Sequence, residues 1–180
     1  MKRPHLLGGS APAKPKFTPG ERTWMLVIPS TPRGKAFDRF VVRWTGFSPI
    51  SFQYAKARRV PYRNNQLLLT TIGSRSGALR TSCLPYFFYE GNLVVCGSKG
   101  GGPSDPFWAN NIRHDPQCWI RIKRRLIPAL GHVAEGDERA AVFDVVARQH
   151  LGLRRYEELA GEHGRHVPLV VLVPREPSPT

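Results

Sequence analysis

The sequence predicts an α+β protein: a small antiparallel β-barrel with flanking helices and a mobile, basic amino-terminal arm. Three observations predict it. Strand-like runs outnumber helical ones after residue 64, several are joined by hairpin-length turns, and residues 1–32 hold six prolines among lysines and small residues. Closing a sheet of short strands removes edges whose unpaired backbone groups would invite association. At 180 residues and 41% hydrophobic, the chain is long enough for one domain with a full core. It divides into an arm at 1–32, a basic helical segment at 33–63, a barrel domain at 64–175 and a tail at 176–180.

Within the arm, Trp24–Ile28 is an apolar run suited to local docking. From Arg33 to about Phe47, Phe37, Phe40, Val41 and Trp44 fall at i, i+3, i+4 and i+7, one face of a helix. Lys35, Arg39 and Arg43 lie elsewhere on its cylinder. The aromatic face suits packing on the barrel and equally an anionic membrane surface, and the pattern leaves both open. Pro49 breaks this helix, and Phe52–Arg59 forms a second before Pro61. Strands follow at Leu67–Ile72 and Thr81–Tyr89, and Glu90-Gly-Asn92 turns the chain into a third at Leu93–Gly97. A helix runs from Ser104, as N-cap, to about His114, with Pro106 in its first turn. Trp119 and Arg121 alternate with Ile120 and Ile122 in a strand at Cys118–Lys123, whose hairpin partner is Leu126–Ala134. Gly136-Asp-Glu-Arg139 opens a helix to about Gln149, with Ala140, Phe143, Val146 and Ala147 inward. A short helix near Arg154–Ala160 precedes the last strand, Pro168–Val173.

Cys83, Cys96 and Cys118 are an odd set without a C-x-x-C pair. That argues against a disulfide framework or zinc site and for a reducing compartment. No apolar run approaches the roughly 20 residues of a membrane span, and the start is too short in apolar residues for a signal peptide. The expected location is the cytoplasm. The net charge of +14 is uneven. Residues 1–63 hold 13 Lys and Arg against Glu21 and Asp38, a net of +11, and the rest holds 14 against 11, a net of +3. Such asymmetry points to an anionic surface, here the inner face of the cell membrane, or to a solvated basic tail. Nucleic acid is disfavoured, because no helix-turn-helix, zinc or RNA-binding signature accompanies the basic arm.

The densest information lies in residues 67–111. A short apolar strand runs into Gly73-Ser-Arg-Ser-Gly77, with Arg80 just after. The strand at Leu93–Cys96 ends in Gly97-Ser-Lys-Gly-Gly-Gly102. Ser104-Asp-Pro-Phe-Trp108 then brings an aromatic residue to a helix start. Two strand ends that each deliver small residues and a cation suit a phosphate-bearing ligand: small residues let the backbone approach, consecutive N–H groups form a nest, and Arg or Lys supplies charge.

These segments, Thr70-Thr-Ile-Gly-Ser-Arg-Ser-Gly-Ala-Leu-Arg80, Gly97-Ser-Lys-Gly-Gly101, Asp105-Pro-Phe-Trp-Ala-Asn-Asn111 and Arg165-His-Val-Pro-Leu-Val-Val171, stand in the order and spacing of a known family. The chain resembles the deazaflavin-dependent nitroreductases and quinone reductases, which use coenzyme F420. The resemblance covers about two-thirds of it and implies a split β-barrel of the FMN-binding type. It implies that Ser74, Arg75, Ser76, Arg80 and Thr81, with Ser82 and Leu84 on the adjoining strand, hold the coenzyme's phosphate and acidic tail. Gly97, Ser98, Lys99 and Gly100 match a second wall. Trp108 and Ala109 match positions beside the deazaflavin ring, and Asn110 and Asn111 offer amides to its carbonyl edge. Where the family often carries two adjacent cations, this chain has Ser74 and Arg75. Where the family often has a tyrosine triad, it has His150, Leu153 and Tyr156, which keeps only Tyr156 to orient the acceptor or donate a proton on the substrate side.

The implied function is hydride transfer from the reduced coenzyme to a quinone, enone or nitro compound, with FMN a less favoured cofactor. The cofactor carries such chemistry, so no nucleophile or carboxylate pair is needed. No metal is expected, since His163 and His166 lack a third ligand. A non-catalytic barrel that binds a fatty acid, haem or flavin is the alternative.

Overall fold

The computed structural model describes Ile28 and residues 31–57, 61–150 and 152–175. Most of the basic arm and the tail at 176–180 lie outside the described residues, so the expected mobility of the arm does too. The elements are α1 (Pro32–Thr45), α2 (Pro49–Ala57), β1 (Gln66–Ile72), β2 (Leu79–Tyr89), β3 (Asn92–Cys96), a short 3-10 turn (Lys99–Gly101), α3 (Phe107–His114), β4 (Gln117–Ile122), β5 (Arg125–Val133), α4 (Gly136–Gln149), α5 (Leu153–Gly161) and β6 (Leu169–Pro174).

The six strands pair antiparallel in the order β1-β2-β3-β6-β5-β4, and β4 pairs back onto β1 to close the barrel. The predicted class therefore holds. Alternation sorts the side chains. Leu67, Leu69, Leu93, Val95, Ile120, Val170 and Leu172 fill the interior, and Trp108 and Ile112 of α3 join them. The neighbouring residues of the same strands face out. Phe87, Val94, Leu169 and Val171 meet Val142 and Val146 of α4 and Leu153 and Ala160 of α5 in a second core. Burial on both faces explains why Pro168–Val173 reads as an unbroken apolar run.

Three helix expectations change. The second helix begins at Pro49, which opens its first turn, rather than at Phe52. The third helix begins at Phe107 rather than after Ser104, whose hydroxyl accepts a hydrogen bond from Lys99 Nζ at 2.8 Å. In α4 the packed stripe is Val142 and Val146, with Phe143 and Ala147 at its margin, and Ala140 is exposed.

The structure also decides how α1 faces, which the sequence pattern left open. Thr31 Oγ1 accepts from Gly34 N at 3.2 Å to cap it, Pro32 pre-sets the first turn, and Gly46 ends it at a left-handed φ of 75°. The aromatic face does not pack on the barrel: Phe37, Phe40 and Trp44 are 48%, 62% and 50% exposed. The buried residues are Gly34, Asp38 and Val42. Asp38 can lie inward because its carboxylate accepts from Ser48 Oγ and from Ile50 N, each at 2.9 Å, at the start of α2. Ser48 Oγ in turn accepts from Ser51 N at 3.0 Å. Ile28 is buried and exchanges two hydrogen bonds with the Gln53 amide, at 3.0 and 2.7 Å, so this end of the expected docking run is seated on α2. Among the described residues no helix is long and apolar enough to cross a membrane.

Glu157 of α5 links three elements. It accepts from Val167 N at 2.9 Å, pairs with Arg139 of α4 at 2.6 Å and contacts His166. Burial opposes its charge, but Val167 N–H, His166 and Arg139 outweigh it and hold the carboxyl below its ordinary 4.5.

Two predictions follow from these carboxylates. Asp38→Ala leaves the Ser48 hydroxyl and Ile50 N–H without their buried acceptor and is expected to cost about 1–3 kcal/mol in chemical unfolding; a loss below a few tenths would show that α1 and α2 are not joined through this residue. For Glu157, a carboxyl depressed on folding contributes stability that is present above its unfolded value and lost as pH falls through the lower folded value. Glu157→Gln should lower stability at neutral pH and flatten the acid limb of stability against pH below about 4.5, in urea unfolding across pH. An unchanged acid limb would contradict it.

Candidate active site

Both walls of the site come from strand ends at one end of the barrel. The first is the β1–β2 turn. Gly73 N donates to Ala78 O at 2.9 Å, and the Ser76 and Gly77 N–H groups fold back onto Gly73 O at 3.1 and 2.7 Å. Ser74 N donates to Asn111 Oδ1 at 3.1 Å, and Asn111 Nδ2 donates to Thr71 Oγ1 at 3.0 Å. The expected nest of free N–H groups is thus mostly turned inward. Anion binding at this turn rests instead on the Ser74 and Ser76 hydroxyls and on Arg75 and Arg80. Neither guanidinium has a hydrogen-bond or ion partner among the described residues. Asn111, expected at the ring edge, is 5% exposed and braces the turn.

The second wall follows β3. A Cβ on Gly97 would stand 2.5 Å from Pro168 Cγ, and one on Gly101 would stand 2.4 Å from Leu159 Cβ, so both positions require glycine for close approach. Arg165 holds this loop from 60 or more residues away. Its Nε donates to Gly102 O at 2.7 Å, and its terminal nitrogens reach Ser98 O at 3.0 Å and Asp105 Oδ1 at 2.9 Å. Asp105 Oδ2 also pairs with Arg113 at 2.8 Å. Lys99, at φ 45°, reaches Ser104 and lies 5.9 Å from the Phe107 ring centroid.

Between the walls is a cavity of about 700 Å³, lined by Ser74, Arg75, Ser76, Arg80 and Ser82 on one side and by Lys99, Trp108, Asn110 and Asn111 on the other. These nine sequence-predicted residues come together. Trp108 is 7% exposed, part of the barrel core and part of the cavity floor at once. Asn110 accepts from Arg113 at 2.7 Å. The other predicted residues stand apart from the lining. Thr81 is hydrogen-bonded to Thr70 at 2.8 Å, Leu84 packs into the barrel interior, Ala109 of α3 is buried in the barrel core, and Gly97, Ser98 and Gly100 shape the wall through backbone.

The expected substrate-side set lies away from this cavity. Leu153 is fully buried in the second core, Tyr156 packs against that core, and His150 stacks on Phe87 at 5.1 Å. None of the three lines the cavity. The spacing of Leu153 and Tyr156 is that of the packed face of α5, which a comparison of sequence positions cannot separate from a pocket face. Sequence reasoning overlooked Gly73, Pro106 and above all Phe107, which lines the cavity with 79% of its surface exposed. It lies inside the quoted Asp105-Pro-Phe-Trp108 motif. Burial pushes the thiols of Cys83, Cys96 and Cys118 up to about 12, so all three stay protonated.

Arg165 is expected to act as a positioning residue. Arg165→Lys keeps the charge but not a fork that spans three acceptors, and should cost about 1–3 kcal/mol of stability. Hydrogen exchange across residues 97–105 should accelerate. Exchange that stays as slow there as in the unaltered protein would remove the clasp.

Residues 52–174 match the family model of F420H(2)-dependent quinone reductase. The F420H(2)-dependent quinone reductase of Mycobacterium tuberculosis H37Rv is 29% identical over 119 residues, which cover 65% of this chain and 78% of that protein. Among solved structures, an F420-H2 dependent reductase superposes with a TM-score of 0.53 at 24% identity, over 60% of this chain and 93% of its own. A domain-swapped dimer gives 0.53 at 23%, over 69% and 99%. These two likenesses establish the barrel fold. The family match spans well over half of the residues, and the chain belongs to the F420H(2)-dependent quinone reductase family.

Proposed function

We propose that the protein is an oxidoreductase that uses reduced coenzyme F420 to reduce a quinone, with enones and nitro compounds as acceptors of the same electron-poor kind. The observation that carries this is one cavity bearing two guanidiniums, Arg75 and Arg80, that have no partner among the described residues, together with Lys99 and the flat face of Trp108. The residues fit a deazaflavin with a phosphate and an acidic tail. Permanent cations meet the anionic groups, and a rigid indole meets the ring.

When bound, the reduced coenzyme supplies a hydride. The chain's own residues bind and orient. Arg75 and Arg80, with the Ser74 and Ser76 hydroxyls, hold the anionic end; Lys99 adds charge on the facing wall; Asn111 and Arg165 fix the two loops. Trp108 excludes water from the ring side, which strengthens every charge interaction within. FMN, with one phosphate, gives this cation set less to hold. A haem would need an axial ligand, and among the described residues the cavity lining includes no His, Cys, Met or Tyr. We further infer that the protein works against an anionic membrane surface, where lipophilic quinones reside. The net charge of +11 over residues 1–63 and the outward aromatic row of α1 support this reading.

Fluorescence titration tests the assignment. Coenzyme F420 should bind more tightly than FMN, and Arg80→Ala should weaken coenzyme F420 by about ten-fold or more through loss of a charge-assisted hydrogen bond. Equal or tighter FMN binding, or an unaltered affinity for Arg80→Ala, would contradict it.

A further inference from the structure

The outward side of α1 continues into a second basic feature, remote from the cavity. Phe37, Phe40 and Trp44 recur at i, i+3 and i+7, with Arg33 one turn earlier on the same ridge. At the end of the helix the β4–β5 turn rises beside it. Lys123 takes a left-handed φ of 52°, and its side chain lies where a Cβ on Gly46 would fall, 2.9 Å from Cγ. The Arg124 guanidinium lies 5.5 Å from the Trp44 ring centroid and that of Arg43 lies 5.9 Å away. With Arg121 they enclose a small cleft of about 190 Å³. Arg121 Nη1 donates to Arg124 O at 3.1 Å and so fixes the turn.

Two guanidiniums lie over one indole here and a third lines the same cleft, and the ion pairs among the described residues all involve other side chains. Like charges held this close repel unless an anion joins them. Strand register sets the cleft apart from the coenzyme cavity. Cys118 pairs with Thr71 near the β1–β2 turn, whereas Arg121 pairs with Leu68, so the β4–β5 turn lies towards the opposite end of the barrel.

Resting on the membrane reading, we propose that the Arg43, Arg121 and Arg124 cleft holds the phosphate of an anionic phospholipid, with Phe37, Phe40 and Trp44 seated among the headgroups beside it. Arginine binds phosphate in a fork, and tryptophan favours the boundary between water and acyl chain. A free phosphate would use the arginines alone and leave the aromatic ridge in water. The ridge and the cleft meet at Trp44, which argues for the lipid.

The test is co-sedimentation of the full chain with phosphatidylcholine vesicles, with and without phosphatidylglycerol, at low and high salt. Coenzyme affinity serves as the check on folding of each variant. The intact protein should bind the phosphatidylglycerol vesicles with a blue shift in tryptophan emission. Joint replacement Arg43→Ala, Arg121→Ala and Arg124→Ala should cut partitioning by about ten-fold or more. Joint replacement Phe40→Ser and Trp44→Ser should abolish the part of binding that survives high salt. Inorganic phosphate should not displace the vesicles. No binding by the intact protein even at low salt would remove the membrane reading and the cleft with it. Strong binding unaffected by the arginine replacements would overturn the cleft alone. Displacement by inorganic phosphate would make it a small-anion site rather than a lipid one.

Discussion

Pairing of β4 back onto β1 closes the barrel, and the two walls of the site stand opposite each other because of it. β1 is flanked on both sides, by β2 and β4, so the turn that leaves it at Gly73 is anchored to a strand with no free edge. From there the chain crosses to β3, whose end carries the second wall, and α3 lies between the two with Trp108 and Ile112 pointing into the barrel. The site floor is therefore part of the hydrophobic core. A side chain that both packs and lines a cavity is held in place without a separate support, which is the condition for orienting a flat ligand.

Much of this was legible in the chain, and the reasons differ by element. Strands β1 and β6 read clearly because both of their faces are buried, one in the barrel and one against helices, so the apolar run is unbroken. The turn at Gly73–Arg80 and its two arginines read clearly as one unit because motif and turn chemistry agree there. The α1 helix was legible as a helix but not in its orientation. Hydrophobic periodicity assumes that the apolar side faces the core, and here specific partners at the start of α2 let Asp38 take that place. Arg165 was visible within a motif, yet its task was not, since its acceptors lie 60 to 67 residues earlier. Tyr156 shows the reverse: a motif position was retained while its side chain belongs to packing.

The arginines fall into two populations with different physics. Arg139 and Arg165 are partly enclosed, Arg139 paired with the Glu157 carboxylate and Arg165 forked onto a carboxylate and two carbonyls, and directional bonding makes both part of the framework. Arg75, Arg80, Arg43 and Arg124 end in solvent with no acidic neighbour among the described residues. A high net charge thus conceals a division of labour. Framework arginines are neutralised locally, and among the described residues those left over at the Arg75–Arg80 cavity and on the outward side of α1 add to the long-range field of the protein.

The three cysteines acquire a meaning in light of the acceptor chemistry. Quinones and enones are soft electrophiles that arylate or alkylate thiolates by conjugate addition, and an enzyme that handles them is exposed to its own substrates. Cys118 is buried, Cys83 and Cys96 are half-buried, and burial pushes all three thiols up to about 12, so little thiolate is present at neutral pH. The packing that builds the barrel thus also keeps its three sulfurs in the protonated form, which is the less reactive one towards such electrophiles.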